Sequence, residues 1–262
     1  MANVEHLARL KQGAVKWLKW RKNTQIKPDL SEADLSGADL SGIDLSNANL
    51  RRADLSKAKL IAANFIGANL SAANFYKAQL IDAQLQQAEL IDAKLLEAEL
   101  IQADLSYANL IGADLRGANL READLSNANL IATQLGEANL READLSAANL
   151  IRASLVYANL TAANLNNANL SNANLTAAEL IGAYLYQADF YKANLSEAHL
   201  FKAYAFGANF SETNLYRADF RWTNLSKANF AGTNLSGATL EQANLSKTNF
   251  QGATMPNSIV DC

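Results

Sequence analysis

The sequence predicts an all-β solenoid, a four-sided β-helix stacked along its own axis, and three regularities carry that prediction. A large apolar residue stands at every position divisible by five from Leu30 to Met255, and it is Leu or Phe everywhere except Ala205 and Met255. Two residues before each site from Leu35 onward stands a small one, as in Ala33, Ala38 and Ala48, with Ile43, Thr133, Thr213, Thr223, Thr233 and Thr248 as the exceptions. Between the two sits a polar residue, usually Asp or Asn, as in Asp34, Asp39, Asn49 and Asn69.

A period of five matches neither the 3.6 of a helix nor the 2 of an alternating strand. It matches a short extended step, small residue in, Asp or Asn out, Leu in, followed by a two-residue corner. Four such steps close one coil, so residues twenty apart lie one coil above each other. Ten of the twelve glycines fall on the second corner residue, among them Gly37, Gly42, Gly67, Gly112 and Gly117. A tight turn needs positive φ there, and glycine reaches it without steric cost.

On these residues the chain resembles the pentapeptide-repeat family. The resemblance implies a right-handed quadrilateral β-helix. The extent of the fivefold beat divides the chain into an N-terminal α-helical cap over residues 1–27, a β-helix over 28–255 and a C-terminal tail over 256–262. About eleven coils spaced by ~4.8 Å give a rod on the order of 50–55 Å long, with the core made by stacking each coil on its neighbour. No apolar run reaches the ~18 residues that a membrane span requires, so a soluble protein is expected.

Residues 1–27 lack the fivefold beat. Helical spacing places Leu7, Leu10, Val15 and Leu18 on one apolar face, together with Val4, Ala14 and Trp17. Asn3 is the expected N-cap, Gly13 divides the stretch into two short helices, and Lys27 followed by Pro28 ends it. The segment carries seven Lys or Arg and one acid, +6, and the remainder holds 16 basic and 25 acidic residues, −9. A net charge of −3 thus conceals a basic head on an acidic rod. The head is read first as a cap over Leu30, Leu35, Leu40 and Leu45, because the end coil of a solenoid needs a polar cover. The second reading is contact with an anionic membrane surface through a basic helix bearing Trp17 and Trp20.

Chemistry-bearing patterns are sparse. The only histidines are His6 and His199, with no His/Cys cluster at metal spacing and no phosphate-binding loop, so no catalytic residue, metal or cofactor is expected. The single cysteine, Cys262, allows no intrachain disulfide, and a reducing bacterial cytoplasm is the expected compartment.

What remains is a surface, mapped by the twenty-residue register. Tyr184 stacks beneath Tyr204 and Tyr186 beneath Phe206, with Tyr191 and Phe201 at nearby corners and Ala205 within the same stretch. Six rigid aromatics in so short a segment form a candidate protein-binding patch. Asp104, Asp124 and Asp144 form a candidate acidic stripe, while Asn129, Asn149 and Asn169 are expected to form an amide ladder. Phe190, Phe210, Phe230 and Phe250 are expected to stack in one interior column.

The sequence therefore points to a non-enzymatic scaffold that binds a protein partner, without direct nucleic-acid binding. The family's quinolone-resistance members, acidic rods that occupy the DNA channel of gyrase, imply a second function, DNA mimicry against a topoisomerase. This chain departs from them in its unbroken repeat and in having only a short segment after the last coil. A membrane adaptor is the third reading. A homodimer through the last coil, with Leu240, Leu245, Phe250 and Met255, is also expected.

Overall fold

The computed structural model describes residues 1–256; the tail expectation beyond Pro256, including Cys262, lies outside the described residues. Two short helices come first, α1 at Val4–Leu10 and α2 at Ala14–Lys22. From Asp29 onward parallel bridges join each outward polar residue to the one twenty residues later, ending with Asn234 and Thr254. The chain thus forms a β-helix solenoid with four bridge columns. Face A runs through Asp29 and Asn249, face B through Asp34 and Thr254, face C through Asp39 and Thr239, and face D through Asp44 and Asn244.

Each step is held by the same few bonds. The Leu amide donates to the carbonyl of the polar residue one coil on, as Leu30 to Asn49 at 2.7 Å, and Asp54 donates back to Ala33 at 2.9 Å. The corner closes by a four-residue turn, Ala33 N–H to Leu30 C=O at 3.1 Å. Every second corner residue from Glu32 to Gly252 has φ between 52° and 71°. Most of these are not glycine, but none is Val, Ile or Thr, whose branched Cβ is least tolerated there. The outward Asp or Asn fastens the turn by accepting the amide two residues on, as Asp34 Oδ1 does from Ser36 at 3.1 Å.

Inside, the Leu and Ala columns are fully buried over nearly the whole rod. Phe190, Phe210, Phe230 and Phe250 stack as expected, with successive centroids 5.0, 4.9 and 5.3 Å apart. Phe220 meets Phe210 edge-on at 5.7 Å. Ala205 is fully buried in the same coil as Phe210 and Phe220, so it belongs to the core and not to the surface patch; its small volume offsets two large rings. The threonines that replace inner alanines each donate to a carbonyl one coil below, as Thr133 Oγ1 does to Leu110 O at 2.8 Å. Their hydroxyls are therefore satisfied in the core.

The helices seat on the first coil. Asn3 caps α1 by accepting from the Glu5 and His6 amides, and Gly13, at φ 95°, separates the helices. Trp17 is fully buried and its Nε1–H donates to Asp44 O at 2.7 Å, while Asn3 N–H donates to Asp29 O at 3.0 Å. Two of the first coil's edge carbonyls thereby gain partners. His6 Nδ1 accepts the Asp29 amide at 3.0 Å. The Arg21 guanidinium, nearly buried, donates to the Asp44 carboxylate, Ser46 O and Ile26 O. Burial alone would raise the Asp44 carboxyl, but bonds from the Ser46 hydroxyl and amide and from Arg21 outweigh it and hold it below the ordinary range.

The packing face differs from the expected one in three residues, since Val4 and Ala14 are exposed along with Val15. Leu10 is buried and Leu7 and Leu18 are half-buried, but Val15 is 83% exposed. His6 and Arg21 pack inward beside the expected Trp17, because α2 turns its indole and guanidinium toward backbone carbonyls that Val cannot bond.

Candidate protein-binding face

Face D unites features that the sequence reading kept apart. Its bridge column runs Asp104, Asp124, Asp144, Asn164, Tyr184, Tyr204, so the acidic stripe and the aromatic patch are consecutive stretches of one line. The column is flanked by two rows of corner residues. The corner before it carries Arg121, Arg141, Ile181 and Phe201, and the corner after it carries Ser126, Ser146, Tyr186 and Phe206.

Among the six candidate aromatics, Tyr184, Tyr186 and Tyr204 are 46%, 45% and 53% exposed, whereas Tyr191, Phe201 and Phe206 are half-buried. Tyr184 and Tyr204 stack with centroids 5.2 Å apart and planes 8° apart, and Tyr186 stacks on Phe206 at 5.8 Å and 10°. The coil spacing sets these distances, so each lower ring supports the one above. The phenylalanines are covered by cations: Lys202 Nζ lies 5.1 Å and the Arg221 guanidinium 5.8 Å from the Phe201 ring, and Lys227 Nζ lies 5.0 Å from Phe206.

Tyr191 does not join this group. It sits at the corner between faces A and B, beneath Lys192 at 5.0 Å, with its hydroxyl donating to Glu212 at 3.2 Å. The structure thus brings five of the six rings to face D and its two corners.

The carboxylates of the stripe also fasten turns. Asp104, Asp124 and Asp144 accept the amides of Ser106, Ser126 and Ser146 at 2.9, 2.8 and 2.8 Å. Arg121 pairs with Glu122 at 3.6 Å and Arg141 with Glu142 at 3.7 Å along the adjoining corner. The stripe is therefore acidic but interleaved with guanidinium groups.

Elsewhere the surface carries ladders and ion pairs. The amide ladder expected at Asn129, Asn149 and Asn169 does not form through side chains, and Asn129 Oδ1 is buried without a partner. It forms higher on the same face, from Asn209 to Asp189 at 2.7 Å, Asn229 to Asn209 at 3.2 Å and Asn249 to Asn229 at 2.9 Å. His199 Nδ1 lies 2.9 Å from Glu179 Oε1 on face C, and no group that could hold a metal occurs among the described residues. Sequence reasoning missed a groove of about 490 Å3 on face B between Tyr76, Leu96 and Gly112, with Lys94 and Asp114 at its base. Its sequence signal is the pair Tyr76 and Leu96, large residues in successive coils at a corner where Ser is common. No described helix is long and apolar enough to cross a membrane.

A four-sided parallel solenoid with a continuous outward column on each face defines a repeat scaffold that offers flat faces. The chain belongs to the pentapeptide-repeat family: the family's repeat model matches in eight copies over residues 29–191, and a pentapeptide-repeat-region model matches residues 173–250. Among solved structures it is similar to HetL from the cyanobacterium Nostoc sp. strain PCC 7120, described as involved in heterocyst differentiation regulation, at 32% identity, 94% coverage of this chain, 98% of that one and TM-score 0.62. QnrB1, a plasmid-mediated fluoroquinolone resistance protein, is similar at 18% identity, 76% and 94% coverage and TM-score 0.48. A pentapeptide-repeat protein, Rfr23, from Cyanothece 51142 matches at 34% identity over 38% of this chain and 60% of its own, with TM-score 0.20. No curated protein matches the chain.

Proposed function

We propose that this chain is a non-enzymatic protein-binding scaffold, a right-handed solenoid of about eleven coils acting in a bacterial cytoplasm, with face D as its binding surface. The observation that carries this reading is the Tyr184–Tyr204 stack, two half-exposed parallel rings on a rigid sheet. Rings held by the coil below lose little entropy on contact, which is the property that makes aromatic side chains dominate protein interfaces. Similarity to a protein involved in heterocyst differentiation regulation supports a regulatory scaffold over an enzyme. The test is affinity capture with the fourfold variant Tyr184→Ala, Tyr186→Ala, Tyr204→Ala, Phe206→Ala. The variant should keep its circular dichroism and thermal transition and lose the partner; a folded variant that keeps it overturns the assignment of the face.

The acidic column from Asp104 to Asp144 supports a second reading, DNA mimicry against a topoisomerase. Arg121 and Arg141 beside it dilute the field that mimicry requires. Inhibition of gyrase supercoiling that disappears in Asp104→Asn, Asp124→Asn, Asp144→Asn would favour it. For the membrane reading, Trp17 is committed to the first coil, which leaves a lysine-bearing helix without its buried aromatic anchor.

A further inference from the structure

We propose that face D also docks on face D of a second copy, antiparallel, about a twofold axis crossing the column at Asn164. This rests on the protein-binding reading and names a partner for that face. The column reads differently on the two sides of Asn164: Asp144 and Asp124 lie below, Tyr184 and Tyr204 above. Rotation sets Asp144 against Tyr184 and Asp124 against Tyr204 of the second copy. Those phenols make no hydrogen bond inside the chain among the described residues, and Oδ2 of both carboxylates is likewise unoccupied. Four O–H to carboxylate bonds would form, two per copy.

The corners obey the same symmetry. An axis in the plane of contact lays each corner against its own counterpart, running the other way. One corner then sets Glu122 against Lys202 and Arg121 over the ring of Phe201. The other sets exposed Tyr107 against Lys227, and the small Ser126 and Ser146 opposite the larger Phe206 and Tyr186. Neither Lys202 nor Lys227 has an ion-pair partner within the chain among the described residues. Parallel stacking in register would instead set Asp on Asp along the column, so charge selects the antiparallel arrangement.

Such a contact is isologous and closes as a dimer. Seven coil levels span roughly 30 Å. With a face about 15 Å wide, each copy buries on the order of 450 Å2, near the lower limit of specific interfaces, so the dimer is weak and concentration-dependent.

Sedimentation equilibrium of the full chain at low salt, from about 1 to about 200 μM, tests this. The expected result is a rise from the monomer mass of 28.3 kDa toward twice that value. Glu122→Lys and Lys202→Glu should each weaken the dimer by about tenfold or more, and the double reversal should restore it to within about threefold. A wild type that stays monomeric, or a double reversal as weak as the singles, overturns the proposal. Either failure is separable from failure of the protein-binding reading, because the fourfold aromatic variant reports on a heterologous partner independently.

Discussion

At the level of the single residue, the corners decide what the repeat tolerates. The second corner position needs positive φ, which costs an L-residue about 1 kcal/mol, and the sequence accepts that cost at most corners but never with a branched Cβ. Gly37→Ala should therefore lower stability by no more than about 1 kcal/mol, since nothing lies within 4 Å of an added Cβ. Ala147→Val, at an exposed corner with φ 55°, should cost about 1–3 kcal/mol although it removes no contact. Chemical denaturation of the two variants checks both values, and an indifferent Ala147→Val would mean the corners relax freely. The inner threonines offer a complementary case. Thr133→Val keeps shape and loses one bond to Leu110 O, which retains the Ala113 amide, so about 0.5–1.5 kcal/mol is expected. The rule excluding β-branched residues was written in the sequence, as Ile sits at the first corner position in Ile91, Ile111 and Ile131. The positive φ that explains it was legible at the glycine corners, but not that the other residues at this position share it.

At the level of the element, the cap shows where sequence reading succeeds and where it stops. Helical spacing, Asn3 and Gly13 located two helices, because these signals are local. Which face packs depends on the partner surface, and the first coil offers unpaired carbonyls as well as leucines. Trp17 and Arg21 satisfy Asp44 O and Ser46 O, while Val15 has nothing to bond and faces solvent. Trp17→Ala should cost about 3–5 kcal/mol of cap docking, and Val15→Ser should stay within about 0.5 kcal/mol. Amide hydrogen exchange in α1 and α2 distinguishes them. Acid should also loosen the cap. The folded Asp44 carboxyl lies below its ordinary value of 3.8, held by Ser46 and Arg21 against the effect of burial. Its contribution is therefore present above that value and is lost as pH falls through the folded one. Asp44→Asn should show weaker docking at neutral pH and lose this acid-dependent part, read from Trp17 fluorescence against pH.

At the level of the whole molecule, the fold separates two codes carried by one sequence. The fivefold beat specifies the core and is the same on every face, whereas the twenty-residue register alone decides which outward residues share a face. The first was legible from Leu30 onward. The second was legible column by column, yet that the acidic and aromatic columns are one line emerged only when the bridges joined Asp144 through Asn164 to Tyr184. The two codes can be pulled apart by deletion. Removing residues 161–180 takes out one complete coil, leaves the beat intact and keeps Asp144 and Tyr184 on face D. Removing residues 161–165 also preserves the beat, but it moves Tyr184 and Tyr204 a quarter-turn onto the face next to the aspartates. Both variants should fold, because each inner Leu and Ala still meets an equivalent neighbour one coil away. The twenty-residue deletion should retain self-association, since Asp and Tyr stretches remain symmetric about a shifted axis. The five-residue deletion should abolish it at unchanged helical and sheet signal by circular dichroism. If both deletions fold and associate alike, alignment of the two columns on face D has no role, and the function lies on a surface that the shift leaves whole.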